Sequence, residues 1–330
     1  MWALANSTPY AADRNWTRDK DGVHWWLVAV RATFTIGPDG RLVLADEQLA
    51  PVLAPEHFGE PGTSSLRYDS DLLAIKPSTD IVLVASAHAP GGRPAASVPV
   101  ALRVGPLEKT LVVHGERVYI EGLSTTAAMP FVTREIRYEF AFGGSDLSDP
   151  DPKHHRFDER NPVGRGIVPR GIKHAPAHAI EYPLGNPASR GPAGFGPIDW
   201  GWLPRRSLAG TYDAKWVERK KPLLPDDYDP AFALGAPTDQ RSAVPLRGGE
   251  RVGLLNMSPQ GTLVFELPQR VLGLRTRFGR VVREHPAMLA TVLIEPDAQR
   301  VSLVWQSALR VGAPAVDNLD VTEIEERRSA

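Results

Sequence analysis

From Val23 to Ile36 the chain reads VHWWLVAVRATFTI, with Trp26, Val28, Val30, Ala32, Phe34 and Ile36 on one side and Arg31, Thr33 and Thr35 on the other. Alternation at a period of two over such a length predicts a long strand with one buried face. Gly37-Pro38-Asp39-Gly40 reads as a turn and Arg41–Leu44 as the returning strand. Residues 45–79, broken by Pro51, Pro55, Pro61 and Pro77, read as loop. Strands are then predicted at Asp80–His88, Val98–Val104, Lys109–His114 and Arg117–Ile120. Another is predicted at Arg134–Phe142, where Ile136, Tyr138, Phe140 and Phe142 alternate. Further along, Arg251–Asn256, Thr262–Leu267, Arg275–Glu284, Ala290–Glu295 and Arg300–Gln306 complete the set, with a turn at Pro296-Asp297. The tail, Asp317–Arg328, reads as a short charged helix. No long helical periodicity separates the strands, which argues against a doubly wound α/β sheet. The expectation is a mainly β protein of antiparallel, sandwich-like lobes with long ordered Gly/Pro-rich loops and a few short helices. One lobe is expected over residues 1–145. The second, over 146–330, comprises a wrapping segment and the C-terminal strands, and the two form one continuous unit.

The wrapping segment differs in texture. Between Gly143 and Gly261 stand 16 glycines and 16 prolines. Prolines and glycines at that density interrupt helices and central strands. Trp200, Trp202, Tyr212, Trp216, Tyr228 and Phe232 in the same stretch make it too aromatic for a disordered linker. The reading is an ordered, extended segment laid across a β scaffold. Two short helices are predicted in it. Asp213–Lys221 has Asp213 as N-cap, Trp216 facing inward and a stop before Pro222. Asp229–Leu234 is a single turn with Asp229 as cap and Pro230 at its first position.

Composition narrows the function classes. The 330 residues are 42% hydrophobic and 23% charged, as in globular domains. The formal net charge of −1 gives no global field for nucleic acid or acidic lipid. Arginine outnumbers lysine 30 to 8. There is no cysteine, so disulfides, thiolate catalysis and Cys-based metal sites are excluded. The N-terminus lacks a basic leader followed by an apolar run, and no stretch nears 18 apolar residues. The expectation is a cytoplasmic protein with no membrane insertion and no nucleic-acid partner.

Candidate chemistry is sparse. His154, His155, His174 and His178 fit no helical ligand pair, with Pro176 between the last two, so no metal site is expected. Asp226, Asp227 and Asp229, with Asp213 and Asp239, offer paired carboxylates beside aromatics that would suit a sugar. Aspartate beside proline and glycine is equally what turns and caps require. No G-x-S-x-G elbow occurs. Gly191–Gly196 and Gly143-Gly144 lack the strand, helix and lysine of a phosphate cradle, so no cofactor is expected. Trp200, Trp202, Arg205, Arg206, Tyr212 and Tyr228 remain as candidate partner contacts, because tryptophan, tyrosine and arginine concentrate binding energy at protein interfaces.

An ordered series of short motifs then runs through most of the chain. It comprises KPSTD with IVLVASAHAPGG (Lys76–Gly92), VG with KTLVVHGER (Val104–Arg117), YEFAFGG (Tyr138–Gly144) and NPVGRG (Asn161–Gly166). It continues with GFGPIDWGWLPRRSLAGTYDAKW (Gly194–Trp216), PLLPDDYDPAF (Pro222–Phe232), APTDQ (Ala236–Gln240) and LRGGERVGLLN (Leu246–Asn256). This series resembles an uncharacterised bacterial family, bearing a domain-of-unknown-function label, found with type VI secretion systems. Genes of that family sit beside those for PAAR-like spike-tip proteins, pentapeptide-repeat proteins and toxic effectors. The resemblance implies an adaptor or chaperone that holds a secreted effector or its PAAR-like tip and helps load it onto the VgrG spike. It carries over no catalytic residue. The first 60 residues and the tail after Leu309 match least, which places partner-specific contacts there. A carbohydrate-active enzyme or carbohydrate-binding module using the Trp/Asp-rich 194–240 segment is the alternative, and a structural part of the secretion apparatus is a third.

Overall fold

The computed structural model describes residues 2–168 and 172–327. The long strand expected from the Trp26 alternation forms as β3 (His24–Ile36). Its neighbours on one side are β2 (Ala11–Arg18) and the short β4 (Leu42–Leu44), after β1 (Ala3–Asn6) has opened the chain. The remaining main strands are β5 (Asp80–Leu83), β6 (Ser97–Val104), β7 (Leu107–His114), β8 (Arg251–Leu255) and β9 (Thr262–Glu266). They are followed by β10 (Val271–Phe278), β11 (Val281–Pro286), β12 (Met288–Glu295), β13 (Arg300–Val311) and β14 (Leu319–Arg327).

The protein is mainly β, with three large sheets and several two-stranded ones among the described residues. The central sheet runs β2-β3-β13-β12-β5, with β4 also on β3. A second runs β7-β6-β8-β9, extended at β7 by residues Ile180–Glu181. The third runs β1-β14-β10-β11. Pairing is antiparallel except for β1 with β14 and β5 with β12. None of the sheets among the described residues closes into a barrel. All three draw strands from both sides of residue 145, so the expected division there does not fall between sheets.

The central sheet is covered on both faces, which explains the unbroken burial of β3 from Trp26 to Phe34, Arg31 and Thr33 included. Trp26, Val28, Val30 and Phe34 look into a core shared with Val100 and Leu102 of the second sheet and Leu274 and Ile324 of the third. Leu27, Ala29 and Val304 pack outward under Leu72, and Val82 and Leu293 under Ala236. The loop around residue 72 and the Gly/Pro-rich segment are therefore the second cover of that sheet. Phe195, Ile198 and Trp202 of the segment join the main core as well.

Several expectations are corrected. Asp80–His88 is not one strand: the chain leaves the central sheet after Leu83, and Ser86–His88 pairs with Thr133–Glu135. Arg134–Phe142 is not a long strand, because it turns into a single 3-10 turn at Tyr138–Phe140. Arg275–Glu284 folds as a hairpin, with Gly279 at φ +56° between Phe278 and Val281. The tail is strand β14 and not a helix. Its Glu323 faces outward and pairs with Arg275 and Arg277 on the neighbouring strand, so its charges serve the solvent face of a sheet.

One buried hydrogen-bond chain fastens the central sheet to the third. Trp26 Nε1 donates to Thr322 Oγ1, which lies 2.8 Å from Thr276 Oγ1, itself 2.8 Å from His285 Nε2. On the other side His285 Nδ1 lies 2.6 Å from Ser307 Oγ, which donates to the carbonyl of Pro286. Ser307 spends its proton on that carbonyl, so Nδ1 carries the hydrogen of that contact. Burial disfavours the charged imidazolium and pulls its pKa down to about 4 from 6.5, which leaves Nε2 of the neutral ring to accept. Folded His285 resists a proton that the unfolded chain accepts. Its contribution is thus complete above pH 6.5 and drains away as the pH falls toward about 4. The loss amounts to about 3 kcal/mol across that window. Urea unfolding between pH 7 and pH 4 should show this slope in the wild type and a flatter one in His285→Gln; equal slopes would contradict the assignment.

Candidate partner-binding surface

The Gly/Pro-rich segment is moulded onto the sheets by buried polar contacts, and the motif residues make them. Lys76 and Asp80, 4% and 0% exposed, form an ion pair at 2.8 Å. Lys76 Nζ also donates to Thr291 Oγ1 of β12, at 2.7 Å. The Asp80 carboxylate accepts the backbone N–H groups of Gly235 and Ala236 at 2.8 and 3.2 Å. Gln240 donates to the carbonyls of Ile81 and Phe195 and accepts from Lys109 of β7. KPSTD and APTDQ, far apart in sequence, are two halves of one clamp. Asn161 does the same for YEFAFGG: its amide donates to the carbonyls of Tyr138 and Phe142, and a Cβ on Gly143 would lie 2.2 Å from its carbonyl oxygen. Gly143-Gly144 thus serves close backbone approach and not a phosphate.

Arg205, expected as a contact, is fully buried. Its guanidinium pairs with Asp69 at 2.7 Å, donates to the carbonyls of Phe232 and Ile198, and lies 5.1 Å from the Trp200 ring centroid. Trp200 donates Nε1 to Asp69 and meets Phe232 edge-on, and Phe232 meets Tyr228 in turn. A Cβ at Gly235 would sit 2.5 Å from the Asp69 carboxylate, so only glycine fits there. Trp202 is buried with its ring edge-on to Tyr138. Trp202 and Arg205 are buried, which does not fit the surface contact expected of them. Trp200 and Tyr228 are half-buried members of the same small core. The segment encloses polar groups and aromatics together, so residue type alone does not separate its inside from its outside.

The segment exposes apolar side chains at Leu147, Phe157, Leu184 and Val244, and also at and beside the helix α1 (Ala214–Arg219). Asp213 caps it by accepting the N–H of Trp216, as expected. Trp216 faces Tyr212 at 4.7 Å and donates to the carbonyl of Leu223, so it packs within a knob and not into the main core. Tyr212 is 52% and Val217 56% exposed. Arg206 is exposed too, and is held by Glu159 at 2.6 Å. The knob is seated on the turn before β3 through Lys20, which donates to the carbonyl of Asp226.

The acids considered for sugar chemistry are all occupied. Asp229 caps the turn Pro230–Ala233 as expected. Asp227 accepts the N–H and hydroxyl of Thr211, and those bonds hold its pKa below the ordinary range. The hydrogen bond and charge of Lys220 do the same for Asp226. Asp239 pairs with Lys109 at 2.9 Å. A general acid needs the opposite displacement. His154 and His155 bond to Asp149, whereas His178 is buried between the Tyr119 hydroxyl and Glu181. Among the described residues no group of three or more His, Asp or Glu is placed to hold a metal. No helix there is long and apolar enough to cross a membrane.

A family model described as an uncharacterized protein conserved in bacteria, DUF2169, matches residues 21–306. The chain belongs to the DUF2169 family. No curated protein and no solved structure matches it. The DUF2169 match takes in both halves of the clamp and the knob, and leaves β1, β2 and β14 outside. Within the central and third sheets, β1 and β2 are edge strands. The part of this DUF2169 chain before the match thus supplies an edge strand to each of two sheets, which sequence reading did not find because neither strand shows a clear alternation.

Proposed function

We propose that this protein is an adaptor that binds a type VI secretion effector or its PAAR-like tip protein and assists its loading onto the VgrG spike. The observation that carries the reading is the exposed apolar knob at Tyr212 and Val217, held on a segment that buried polar contacts anchor to the sheets. Rigid presentation of an aromatic and aliphatic patch lowers the ordering cost of binding. The motif resemblance supplies the identity of the client. A stable complex would bury roughly 1,200 Å² or more, so the knob is its centre and neighbouring surface, including the edge of β2, its rim. The carbohydrate reading loses its acids to caps, turns and ion pairs.

The test is co-expression with the PAAR-like protein or effector encoded beside the gene. The wild type should retain that protein through affinity purification and gel filtration. Tyr212→Ala/Val217→Ala should weaken retention by about tenfold or more with unchanged thermal unfolding. Retention of none of the neighbouring products by the wild type would overturn the reading.

A further inference from the structure

A cleft of about 360 Å³ opens between β7 and the segment, away from the knob, and four of its lining residues are cations: Lys109, Arg160, Arg190 and Arg241. Its one lining acid, Asp239, is engaged by Lys109 at 2.9 Å. Arg160 is matched by Asp158 through two bonds of 2.8 and 2.6 Å. The other two have no ion pair among the described residues. Arg241 donates to the carbonyls of Ala236 and Leu234, with Asp80 and Asp229 near enough to act on its charge. The Arg190 guanidinium carbon lies over the Tyr182 ring, 4.6 Å from its centroid, and Arg190 has no ion pair among the described residues. The cleft lining thus carries four cations and one acid on a chain whose net charge is −1.

The backbone is shaped around these side chains. Gly185 and Gly191 stand at φ +99° and +90°. A Cβ at Gly185 would lie 2.8 Å from Arg190 Cγ, and one at Gly191 would lie 3.2 Å from Arg160 Nη1. Both glycines therefore let a guanidinium stem lie close to the loop, where it borders the cleft. Planar guanidiniums with free donors match carboxylates and phosphates in two-point fashion. The walls between them are tyrosine, proline and isoleucine, which favours a chain with apolar as well as acidic side chains. The cleft takes two or three residues and is too short to track a nucleic-acid strand.

We infer that this cleft is a recognition site for an acidic peptide segment of the client, with Arg190 and Arg241 as the carboxylate-binding groups. The inference rests on the adaptor reading for the identity of the peptide's owner. Burial brings Lys109 down to about 8, and an acid bound nearby would raise it again.

The experiment has two arms. In the first, a fluorescein-labelled octapeptide of alternating Glu and Ala is titrated against the full chain by anisotropy, beside its Gln/Ala counterpart and with inorganic phosphate as competitor. Saturable binding of the Glu peptide alone is expected, weakened about tenfold by Arg190→Gln and by raised salt. Arg190 is exposed, so that variant keeps its fold. Equal binding of the Gln peptide, an unchanged Arg190→Gln titration, or binding of phosphate without the peptide would each overturn the inference. In the second, the Arg190→Gln protein is used in the co-expression assay. Capture of the client by the wild type with no peptide binding in the first arm would discard the cleft and keep the adaptor. Peptide binding with no captured client would keep the cleft and discard the adaptor.

Discussion

Asp80→Ala is expected to lower stability by about 3–5 kcal/mol, the range for removing one partner of a buried ion pair. Three losses coincide. Lys76 keeps a charge at 4% exposure without its ion-pair partner, left with the Thr291 hydroxyl and the more distant Asp71. The N–H groups of Gly235 and Ala236 lose their acceptor. The Gly/Pro-rich segment then loses a tie to the sheet edge at β5. Urea unfolding followed by tryptophan fluorescence measures the change. Lys76→Met/Asp80→Ala should recover part of it, because the lysine is no longer left buried without its partner. A single variant within about 1 kcal/mol of wild type would mean that the clamp contributes nothing beyond an ordinary substitution.

Arg205→Ala is expected to cost a similar amount, about 3–5 kcal/mol. The side chain is fully buried, so its removal strands the Asp69 carboxylate and empties the space between Trp200 and Phe232. The contrast with a surface role is direct. A contact arginine would leave unfolding unchanged and affect only client binding, whereas this one should shift the urea midpoint with no client present. Arg206→Ala, next in sequence but exposed, should leave the midpoint within about 0.5 kcal/mol of wild type.

The fold was legible wherever burial follows strand geometry. The alternation through Trp26, Val28 and Val30 marks β3 because one face of that strand looks into the main core. It failed where apolar residues are buried by something other than a sheet. Tyr138 alternates with its neighbours, yet it is covered by the Gly/Pro-rich segment through Gly194 and Trp202, and its backbone turns. The tail misled in the opposite sense. Glu323, Glu325 and Arg327 look like a helix surface in isolation, and only their cross-strand partners show them to be one face of a sheet. At the candidate site, the caps at Asp213 and Asp229 could be read from local chemistry. Burial of Arg205 could not, because its partners lie at residues 69, 198 and 232. Their meeting is a product of the fold and leaves no local mark.

Hydrogen–deuterium exchange of the full chain, without any client, tests the central claim most directly, because a segment fixed by buried anchors and one that merely drapes over the sheets differ by orders of magnitude in protection. The amides of Ile198, Gly235, Ala236 and Gln240, bonded to the carbonyl of Gly235, the Asp80 carboxylate and the carbonyl of Pro237, should exchange as slowly as those of the central sheet. Exchange of those four at the rate of an unstructured loop, while the sheet stays protected, would contradict a rigid platform.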